Sequence, residues 1–422
     1  MRILTAGWVF PVAGPPIRDG AVAIDAGRII AVGRRPDVVA LRADAARWDL
    51  GEAALLPGLV NCHTHLEMTA LPPGAPVESF VPWVVRVIEH RKRRPLDEQA
   101  RTADRGVETL LRSGTTAVGE VSTTGQSLTP LVRAGLRGVI YREILGLSPA
   151  EAPERLAAAA AEIRAWQRTA GDGRLRMGLS PHSPYGLSEE LLSACDRLVQ
   201  RTGIPTAIHA AESPEETEFV TTGDGPISRS LYPAVGGTAP PRRRARSPVA
   251  YLAEVGALAH RPLLVHAVHV DEADCQTMAR HGARVAHCPR SNGLLSKGTA
   301  PIPYLLSHGI PVGLGTDSLA SAPDLDLWEE MRAALALHAG RLDPEAVLTM
   351  GTLGGARALG IADGVGSLEV GKKADLIAVA ARRVTAADPV GSLLAQTRGE
   401  NVLLALIDGE VRHNRTEVVT CV

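Results

Sequence analysis

Short apolar stretches alternate with longer helical ones from residue 54 to residue 317, and this alternation constrains the fold more than any other feature. The segments between them, such as 153–169, 188–202 and 272–281, have helical periodicity. Eight strand–helix units in succession predict a closed (β/α)₈ barrel of parallel strands, within the α/β class. An open doubly wound sheet is the alternative, but no GxGxxG sequence follows a strand. The predicted strands are ALLPGLVNCH, GTTAVGEV, RGVIYREI, RLRMGLSP, IPTAIHAA, RPLLVHAV, ARVAHCPR and IPVGLGTD.

The two ends of the chain differ from this central part. Residues 1–55 contain short apolar runs separated by Gly, Pro and Asp, which is typical of small β-structures with tight turns. The same pattern returns after residue 360, in GSLEVGKKADLIAVA and ENVLLALIDGEVRHN. We therefore expect residues 1–55 and 361–422 to pair into a small β-domain beside a barrel of residues 56–360. A length of 422 residues is consistent with two domains.

Charge and composition exclude several classes of protein. The formal net charge is −1, so no global attraction to nucleic acid or to an anionic membrane is expected. The one basic cluster, PPRRRARSP, is interpreted as a solvated loop. Five cysteines without regular spacing argue against a disulfide framework. The N-terminus lacks the features of a signal peptide, and no apolar run reaches the ~18 residues of a membrane span. The expected location is cytoplasmic and the expected partner a small molecule.

Histidines and carboxylates are concentrated where the predicted strands end. The C-terminal ends of barrel strands converge on one mouth, which is where barrel enzymes place their active sites. Core packing is a poor explanation for so many polar residues at equivalent positions. The residues at or just after strand ends are His63, His65, His182, His209, His266, His269, His287 and Asp317.

Four of these residues predict a metal site. His63 and His65 have the i, i+2 spacing that directs two strand side chains to the same side. Adding His209 and Asp317 gives three nitrogens and one oxygen, a ligand set suited to one divalent ion, with zinc the first choice and iron or manganese as alternatives. Such an ion lowers the pKa of a bound water toward neutrality.

Further candidates for catalysis and binding lie beside these ligands. Glu212, three residues after His209, is predicted to move protons between water and substrate, although a helix-start carboxylate is the alternative. His266 is a candidate for polarising the water, whereas His269 could instead support the strand end. Glu67 is a candidate contact for a polar group of the substrate, with a surface carboxylate as the alternative.

At this point the residues resemble the amidohydrolase superfamily, specifically its branch of triazine hydrolases, chlorohydrolases and S-adenosylhomocysteine-type deaminases. The resemblance implies a barrel fused to a β-sandwich formed by both termini, usually with zinc or iron, and dimers are common in the family. The matching stretches are LLPGLVNCHTHLE, SPHSPYGLS, IHAAES, LLVHAVHVDE, VAHCPRSNGLL, VGLGTDSLASAPDLDLWEEMR and GVGSLEVGKKADLIAV.

The resemblance also assigns roles. His63, His65, His209 and Asp317 match the metal ligands, Glu212 the proton shuttle and His266 the histidine that orients the attacking water. Relatives with two metals bridge them with a carbamylated lysine after strand four, and RLRMGLSPHSPYG has no lysine, so one metal is expected. The resemblance further implies that the segments around SPHSPYG and HCPRSN line the substrate pocket. It thereby nominates His182, Arg290, Ser291 and Asn292 as substrate contacts.

These observations predict hydrolytic deamination of an amino-purine nucleoside or related heterocycle by metal-activated hydroxide. HTHLE and GTDSLAS are similar to aminofutalosine deaminases, whereas GTDSLASAPDLDL departs from the GTDG…SNNDLD of adenosylhomocysteine deaminases. Hydrolysis of a cyclic amide or of a chlorinated ring on the same site is the alternative. A non-catalytic scaffold is the remote alternative, because such relatives lose metal ligands. The stretch 213–248 lacks clear periodicity and is a candidate lid.

Overall fold

The structure, a computed structural model, describes residues 1–41, 44–68, 79–171, 173–238, 243–295, 297–416 and 420–421. The strands, numbered in chain order, are β1 (Arg2–Val9), β2 (Ile17–Asp25), β3 (Arg28–Arg34), β4 (Ala46–Asp49), β5 (Ala53–Pro57), β6 (Leu59–Thr64), β7 (Thr115–Ser122), β8 (Arg137–Ile144), β9 (Leu175–Pro181), β10 (Ala207–Ala210), β11 (Leu263–His266), β12 (Arg284–His287), β13 (Val312–Leu314), β14 (Leu376–Ala380), β15 (Val402–Ile407), β16 (Glu410–Asn414) and β17 (Thr420–Cys421).

The α-helices mostly follow the central strands, as the sequence predicts. They are α1 (Arg35–Ala40), α2 (Phe80–Lys92), α3 (Leu96–Arg112), α4 (Leu128–Ala134), α5 (Ala152–Ala170), α6 (Glu189–Thr202), α7 (Pro214–Thr222), α8 (Tyr232–Ala234), α9 (Pro248–Glu254), α10 (Glu272–Arg280), α11 (Pro289–Leu294), α12 (Ile302–Ser307), α13 (Leu327–Leu337), α14 (Pro344–Met350), α15 (Leu353–Leu359) and α16 (Pro389–Gln396). Short 3₁₀ turns span Pro149–Glu151 and Gly399–Asn401, and a π-helical turn spans Ile227–Leu231.

The helices begin where the sequence offers caps. The side chain of Ser213 accepts a hydrogen bond from the Glu216 amide at the start of α7, and Pro214 occupies the first turn. Asp271 and Asp274 form a reciprocal capping box at the start of α10. These caps satisfy amides that would otherwise lack partners, and each contributes about 1 kcal/mol to helix stability. Because the helices start directly after the strand ends, the caps help to fix the loops that carry the polar residues.

The eight central strands form two parallel sheets of four strands each, ordered β6-β7-β8-β9 and β10-β11-β12-β13. Single parallel bridges join their edges, from Leu179 to Thr206 on one side and from Thr64 to Asp317 on the other. The strands are buried on both faces, as expected when a parallel sheet is covered by helices. The prediction of eight parallel strands is thus confirmed, and the mixed α/β class with it.

The terminal segments meet in a separate nine-stranded sheet ordered β16-β15-β14-β5-β1-β2-β3, with β4 pairing with β1 and with β17. Strand β14 from the C-terminal segment pairs antiparallel with β5 from the N-terminal segment, so the two ends of the chain do touch. Hydrogen bonds join all nine strands into one sheet. Strand pairing shows one sheet, so the predicted sandwich of two facing sheets is not confirmed.

Two predictions need correction. The first predicted strand, ALLPGLVNCH, is interrupted at Pro57 and Gly58 and divides into β5 of the terminal sheet and β6 of the central strands. A side chain at Gly58 would collide with the side chain of Thr116, so the chain crosses between the sheets where it has no side chain. The stretch 213–248 carries helical segments, although residues 239–242, including Arg242 of the basic cluster, lie outside the described residues.

The cysteine and membrane predictions fit the described residues. The four cysteines whose side chains are described, Cys62, Cys195, Cys275 and Cys288, are free and buried. Arg246 of the basic cluster forms ion pairs with Asp271 and Asp274. Within the described part of the chain, no helix combines the length and apolarity that crossing a bilayer requires.

Candidate metal centre and active site

The four predicted metal ligands lie together at the C-terminal ends of the central strands. His63 comes from β6 and His65 directly follows it, whereas His209 comes from β10 and Asp317 follows β13. Backbone hydrogen bonds run from the His65 amide to the Asp317 carbonyl (3.2 Å) and from the Asp317 amide to the His63 carbonyl (3.0 Å). These bonds fix the two segments against each other, so candidate ligands from opposite ends of the central part of the chain lie close together.

The side-chain atoms of this group converge. The Nε2 atoms of His65 and His209 are 3.3 Å apart, and Asp317 Oδ1 lies 3.5 Å from His63 Nε2 and 3.8 Å from His65 Nε2. One ligand nitrogen from each histidine lies within 4.8 Å of those of the other two. All four side chains are buried. The three histidine nitrogens therefore converge, and the Asp317 oxygen lies beside two of them, so the four-ligand set stays a prediction that this arrangement supports.

The electrostatics of the group fit a cation. Within the described part of the chain, both ring nitrogens of His63 and Nδ1 of His65 are buried without a hydrogen-bond partner, and such groups are costly unless something else binds them. Burial lowers the pKa of His65 to about 4 and, together with the neighbouring imidazoles, holds the pKa of His209 well below its usual range. Neutral imidazoles with free lone pairs are the form that binds a metal.

Asp317 is held as a carboxylate. Burial alone would raise its pKa, but the imidazole of His63, whose Nε2 lies 3.5 Å from Oδ1, outweighs burial and holds the pKa well below its usual range. Oδ2 accepts hydrogen bonds from Ser291 (2.7 Å) and Ser321 (2.9 Å), which orient the carboxylate and leave Oδ1 toward the histidines. Nothing in the sequence around Ser321 predicted this contact.

The backbone around the site takes up an unfavourable conformation at several strand ends. Ala211, His266, Ala267 and Asp317 all have φ between +47° and +75°. Each non-glycine residue in this left-handed conformation costs about 1 kcal/mol or more of folding free energy. Such residues are frequent at functional sites. The turns after β10, β11 and β13 are thus bent to direct side chains into the mouth, at a cost that the surrounding packing offsets.

Glu212 and His266 face each other beside the four ligands. His266 Nε2 lies 3.2 Å from Glu212 Oε1, and His266 Nδ1 donates to Asn292 Oδ1 (2.9 Å). Burial lowers the pKa of His266 to about 4, so the ring is neutral at pH 7. Glu216 accepts hydrogen bonds from the amides of Ala211 (3.1 Å) and Glu212 (2.8 Å), which fixes the loop that carries Glu212.

Glu67 has a different environment from the one the sequence predicts. Its carboxylate accepts four hydrogen bonds from the loop after β7: from the Ser122 hydroxyl (2.5 Å) and from the amides of Thr123 (3.2 Å), Thr124 (3.1 Å) and Gln126 (2.8 Å). Its acceptor capacity is therefore used within the protein. The structure shows Glu67 as an anchor of this loop, and its contact with a substrate stays a prediction.

The residues nominated from HCPRSN also contact protein groups. Arg290 forms a two-point ion pair with Asp324 (2.7 and 3.0 Å), while Ser291 and Asn292 bond to Asp317 and His266 as described. These bonds orient Asp317 and His266, while Asn292 Nδ2 is buried without a hydrogen-bond partner among the described residues, so the predicted contact of the three residues with a substrate stays a prediction. All three lie in α11, which follows β12 directly.

His182 does line open space. Its Nδ1 bonds to Glu143 Oε1 (2.9 Å), and its side chain is 22% exposed, in contrast to the metal-ligand histidines. A cavity of about 1030 Å³ is lined by His182, Tyr185 and Tyr232 among others. The rings of His182 and His209 are 5.0 Å apart, so His182 connects the wall of this cavity to the histidine cluster. His182 is therefore well placed for the predicted contact with a substrate.

Two histidines of the predicted set have structural environments. His269 Nε2 donates to the Lys297 carbonyl (2.6 Å), which supports the alternative interpretation that this residue stabilises the strand end. His287 is buried beside His338, with ring centroids 6.0 Å apart, and burial lowers its pKa to about 3.

The sequence interpretation missed three residues of the site. Lys297 is buried with its Nζ on Glu212, Glu143 holds His182, and Asn61 accepts from the His63 amide (3.3 Å) and donates to Thr316 (2.8 Å). Glu143 could have been found, because it lies at the end of a predicted strand like the histidines. Lys297 offered only the weaker signal of a lone lysine in a Gly-rich, apolar stretch.

Comparisons with known proteins agree with this geometry. The model of the amidohydrolase family matches residues 54–412. The aminodeoxyfutalosine deaminase of Deinococcus radiodurans is 36% identical over 370 residues, covering 85% of this chain and 86% of that protein. The 5-methylthioadenosine/S-adenosylhomocysteine deaminase of Syntrophobacter fumaroxidans is 34% identical over 406 residues, covering 93% and 87%.

A solved structure is similar over nearly the whole chain. An adenosine deaminase from Xanthomonas campestris with bound zinc superposes with a TM-score of 0.82 at 27% identity, covering 99% of this chain and 94% of that one. The family match, the relatives and the shared fold extend across both the central strands and the terminal sheet. This chain belongs to the amidohydrolase family.

Proposed function

We propose that this chain is a metal-dependent hydrolytic deaminase that removes the amino group of an amino-purine nucleoside or a related heterocycle, with an aminofutalosine-type nucleoside as the first candidate. The observation that carries the proposal is the position of Glu212 and His266, 3.2 Å apart, with the His266 ring 5.6 Å from that of His209 in the converging cluster of His63, His65 and His209. Hydrolases that act on C–N bonds need an activated water and a group that moves its proton. The deaminases among the relatives support this class of reaction.

His63, His65, His209 and Asp317 would hold one divalent ion, with zinc first and iron or manganese as alternatives. The buried nitrogens of His63 and Nδ1 of His65 support this assignment, because no described residue forms a hydrogen bond with them. The zinc in the similar adenosine deaminase supports the choice of metal. When bound, such an ion supplies a positive charge that makes a water acidic near neutral pH and stabilises negative charge on the reacting group.

The protein's own residues would move the protons. Glu212 takes a proton from the attacking water and gives it to the ring nitrogen next to the carbon under attack. Glu212 takes the second proton from the hydroxyl now on that carbon and gives it to the amino group, so the carbon–oxygen double bond forms while the carbon–nitrogen bond breaks and ammonia leaves. His266 is held by Asn292 through Nδ1 and helps to orient the water, as does Asp317, which Ser291 and Ser321 orient.

The cavity supports a substrate of nucleoside size. Its volume of about 1030 Å³ exceeds what a bare nucleobase needs, and typical small-molecule sites range from ~300 to ~1,000 Å³. His182 would donate to or accept from the heterocycle, with Glu143 fixing the orientation of its ring. Hydrolysis of a cyclic amide or a chlorinated ring remains the second candidate, because the same ligands serve several reactions in this fold.

The architecture proposed for this function is a closed eight-stranded barrel of residues 56–360 and a β-sandwich of residues 1–55 and 361–422. The edge bridges Leu179–Thr206 and Thr64–Asp317 support closure, and the pairing of β5 with β14 supports a joint terminal domain. A cytoplasmic location and a homodimer remain predictions of the family resemblance and the sequence.

The test is ammonia release by metal-analysed protein from aminofutalosine, adenosine, adenosylhomocysteine, methylthioadenosine, guanine and cytosine. If one member releases ammonia, and Glu212→Gln abolishes that release without loss of metal, the result supports the proposal and names the substrate class. No release from any member by fully metallated protein would overturn the deaminase assignment. Lactams and chlorotriazines, assayed in parallel, would then test the second candidate.

A further inference from the structure

Lys297 stands out because this chain rarely uses lysine. Only four of its 45 lysine and arginine residues are lysines, at positions 92, 297, 372 and 373. The side chain of Lys297 has no exposed surface, whereas those of Lys372 and Lys373 are 14% and 35% exposed. Lysine is almost never fully buried unless it is paired, because removing an ammonium from water is costly. A buried lysine in a chain that otherwise uses arginine therefore needs a local explanation.

The ammonium of Lys297 is held by the active site itself. Nζ donates to Glu212 Oε1 in a short ion pair, and lies 3.5 Å from Ser291 Oγ. On its other side it lies over the rings of Phe80 (5.6 Å) and Trp83 (5.5 Å). One charge thus touches the loop after β10, the start of α11 and the start of α2. The aromatic faces attract the ammonium but offer it no hydrogen-bond acceptor, so Glu212 is its principal partner.

The backbone at Lys297 is fixed to the same site. The Lys297 amide donates to the Asn292 carbonyl (2.9 Å), and the Lys297 carbonyl accepts from His269 Nε2 (2.6 Å). The backbone of Lys297 is therefore bonded to Asn292 in α11 and to His269, which lies in the loop after β11. A side chain anchored at its base in this way delivers its charge to a defined point.

The ion pair has a consequence for Glu212. Lys297 Nζ and His266 Nε2 both approach Oε1, and among the described residues no hydrogen bond reaches Oε2. The charged and titratable groups that face Glu212 are His266, Lys297, Asp317, Glu216 and Tyr185. Burial alone would raise the pKa of Glu212, but the contacts of Oε1 with His266 and with the ammonium of Lys297 outweigh burial and lower the pKa. Without the lysine, the buried carboxylate of Glu212 would face the carboxylate of Asp317 with no cation beside it.

We propose that Lys297 is a positioning residue that holds the Glu212 side chain fixed by Oε1, so that Oε2 is the oxygen free to carry protons. This inference rests on the proposed function, in which Glu212 is the proton carrier. Lys297 acts through Glu212 and does not contact the reacting atoms. Lysine suits this position better than arginine because a compact point charge fits between a carboxylate and two rings, where a planar guanidinium would need more acceptors.

The experiment is a double-mutant cycle on the zinc-loaded enzyme with Lys297→Met, Glu212→Gln and the combined variant. We expect Lys297→Met to lower kcat about 100-fold with KM changed less than threefold, since general acid–base catalysis contributes about 10²- to 10⁴-fold. The combined variant should be no slower than Glu212→Gln within about threefold, because a lysine that acts through Glu212 has nothing to position once the carboxylate is gone. Lys297→Arg should recover part of the lost rate.

The controls separate this role from a structural one. Lys372→Met removes a lysine paired with Glu369 (3.0 Å) far along the chain in the terminal segment, and should leave kcat unchanged. Zinc content and Tm of every variant show whether it folds and binds metal. Three outcomes would each overturn the proposal. The losses of kcat could multiply in the combined variant, Lys297→Met could raise KM with kcat unchanged, or Lys297→Met could leave kcat and KM both unchanged.

A crystal structure of Lys297→Met supplies a readout that needs no turnover. The Glu212 carboxylate should leave its single position or occupy two rotamers, whereas an unmoved Glu212 would contradict the proposal. This measurement distinguishes the two inferences. If the wild-type enzyme released no ammonia from any substrate, the proposed function would fail, but the position of Glu212 would still show whether Lys297 holds it.

Discussion

Two buried glutamates at the same mouth, Glu67 and Glu212, have opposite surroundings. Glu67 accepts four hydrogen bonds from neutral hydroxyl and amide groups of one loop. Glu212 contacts a lysine and a histidine through one oxygen. A carboxylate whose acceptor positions are filled by backbone amides stabilises a loop, whereas one held by titratable groups beside metal ligands can exchange a proton. Burial alone does not separate scaffold from chemistry; the partners do.

The largest effect should come from removing the metal. We expect the chemistry at Glu212 to depend on the metal and the loop held by Glu67 to be independent of it. Dialysis against a strong chelator should reduce kcat to background, because no charge remains to activate water between the histidines. Tm should also fall, since a ligand that binds only the folded state stabilises it. Metal analysis, turnover and thermal unfolding of the same sample check this, with re-addition of zinc as the control. Turnover that persists after the metal has been removed would contradict the metal assignment.

Glu212→Gln comes next and tests the chemical side of the comparison. We expect kcat to fall about 1,000-fold, because glutamine cannot carry a proton, and general acid–base groups contribute about 10²- to 10⁴-fold. The introduced glutamine still offers Lys297 an amide oxygen, so the fold should persist. Steady-state ammonia release with zinc content measured in parallel checks this result. A loss below about tenfold would make Glu212 a scaffold residue like Glu67.

Glu67→Gln tests the structural side. An amide can satisfy the Ser122 and Gln126 donors or the Thr123 and Thr124 donors, but it turns its own NH₂ toward the other pair. We expect the free energy of unfolding to fall by about 2 kcal/mol, the usual cost of buried donors without acceptors, while kcat stays within about tenfold. Urea unfolding and turnover measure the two quantities. A large loss of kcat without loss of stability would instead support the sequence-based prediction that Glu67 contacts the substrate.

The smallest effect concerns Glu216. Like Glu67 it accepts hydrogen bonds from backbone amides of a loop, and like Glu212 it is expected to exchange a proton. Burial raises its pKa to about 8, so the folded chain binds a proton that the unfolded chain releases at lower pH. Its contribution to stability is therefore complete below the usual carboxyl range and is lost as the pH rises through about 8.

Between about pH 6 and about pH 7, the unfolding free energy of the wild type should fall by about 1 kcal/mol relative to Glu216→Gln, since one pKa unit corresponds to about 1.4 kcal/mol. Urea unfolding of both proteins at the two pH values gives this difference. An unchanged difference would mean that Glu216 is ionised in the folded chain.

Much of the fold was predictable, because it depends on local patterns. Apolar runs of strand length alternate with helical segments, and the confirmed bounds of α5, α6 and α10 follow the predicted segments closely. The boundary at Pro57 and Gly58 was missed, since ALLP and LVNCH are equally apolar and their separation depends on which sheet each joins. The helical content of 213–238 was missed because its buried residues Phe219, Leu231 and Tyr232 pack against Phe80 of a distant helix and show no period of their own.

The sequence by itself determined which residues could form a metal site, because strand spacing directs His63 and His65 to one side and strand ends converge in a parallel sheet. Only the tertiary structure decided what the other polar residues do. Glu67, Arg290, Ser291 and Asn292 are turned toward protein groups, and Lys297, 85 residues from Glu212, meets it across two loops. The reason is that a side chain's role depends on its partners, and those partners come from segments that sequence spacing does not relate.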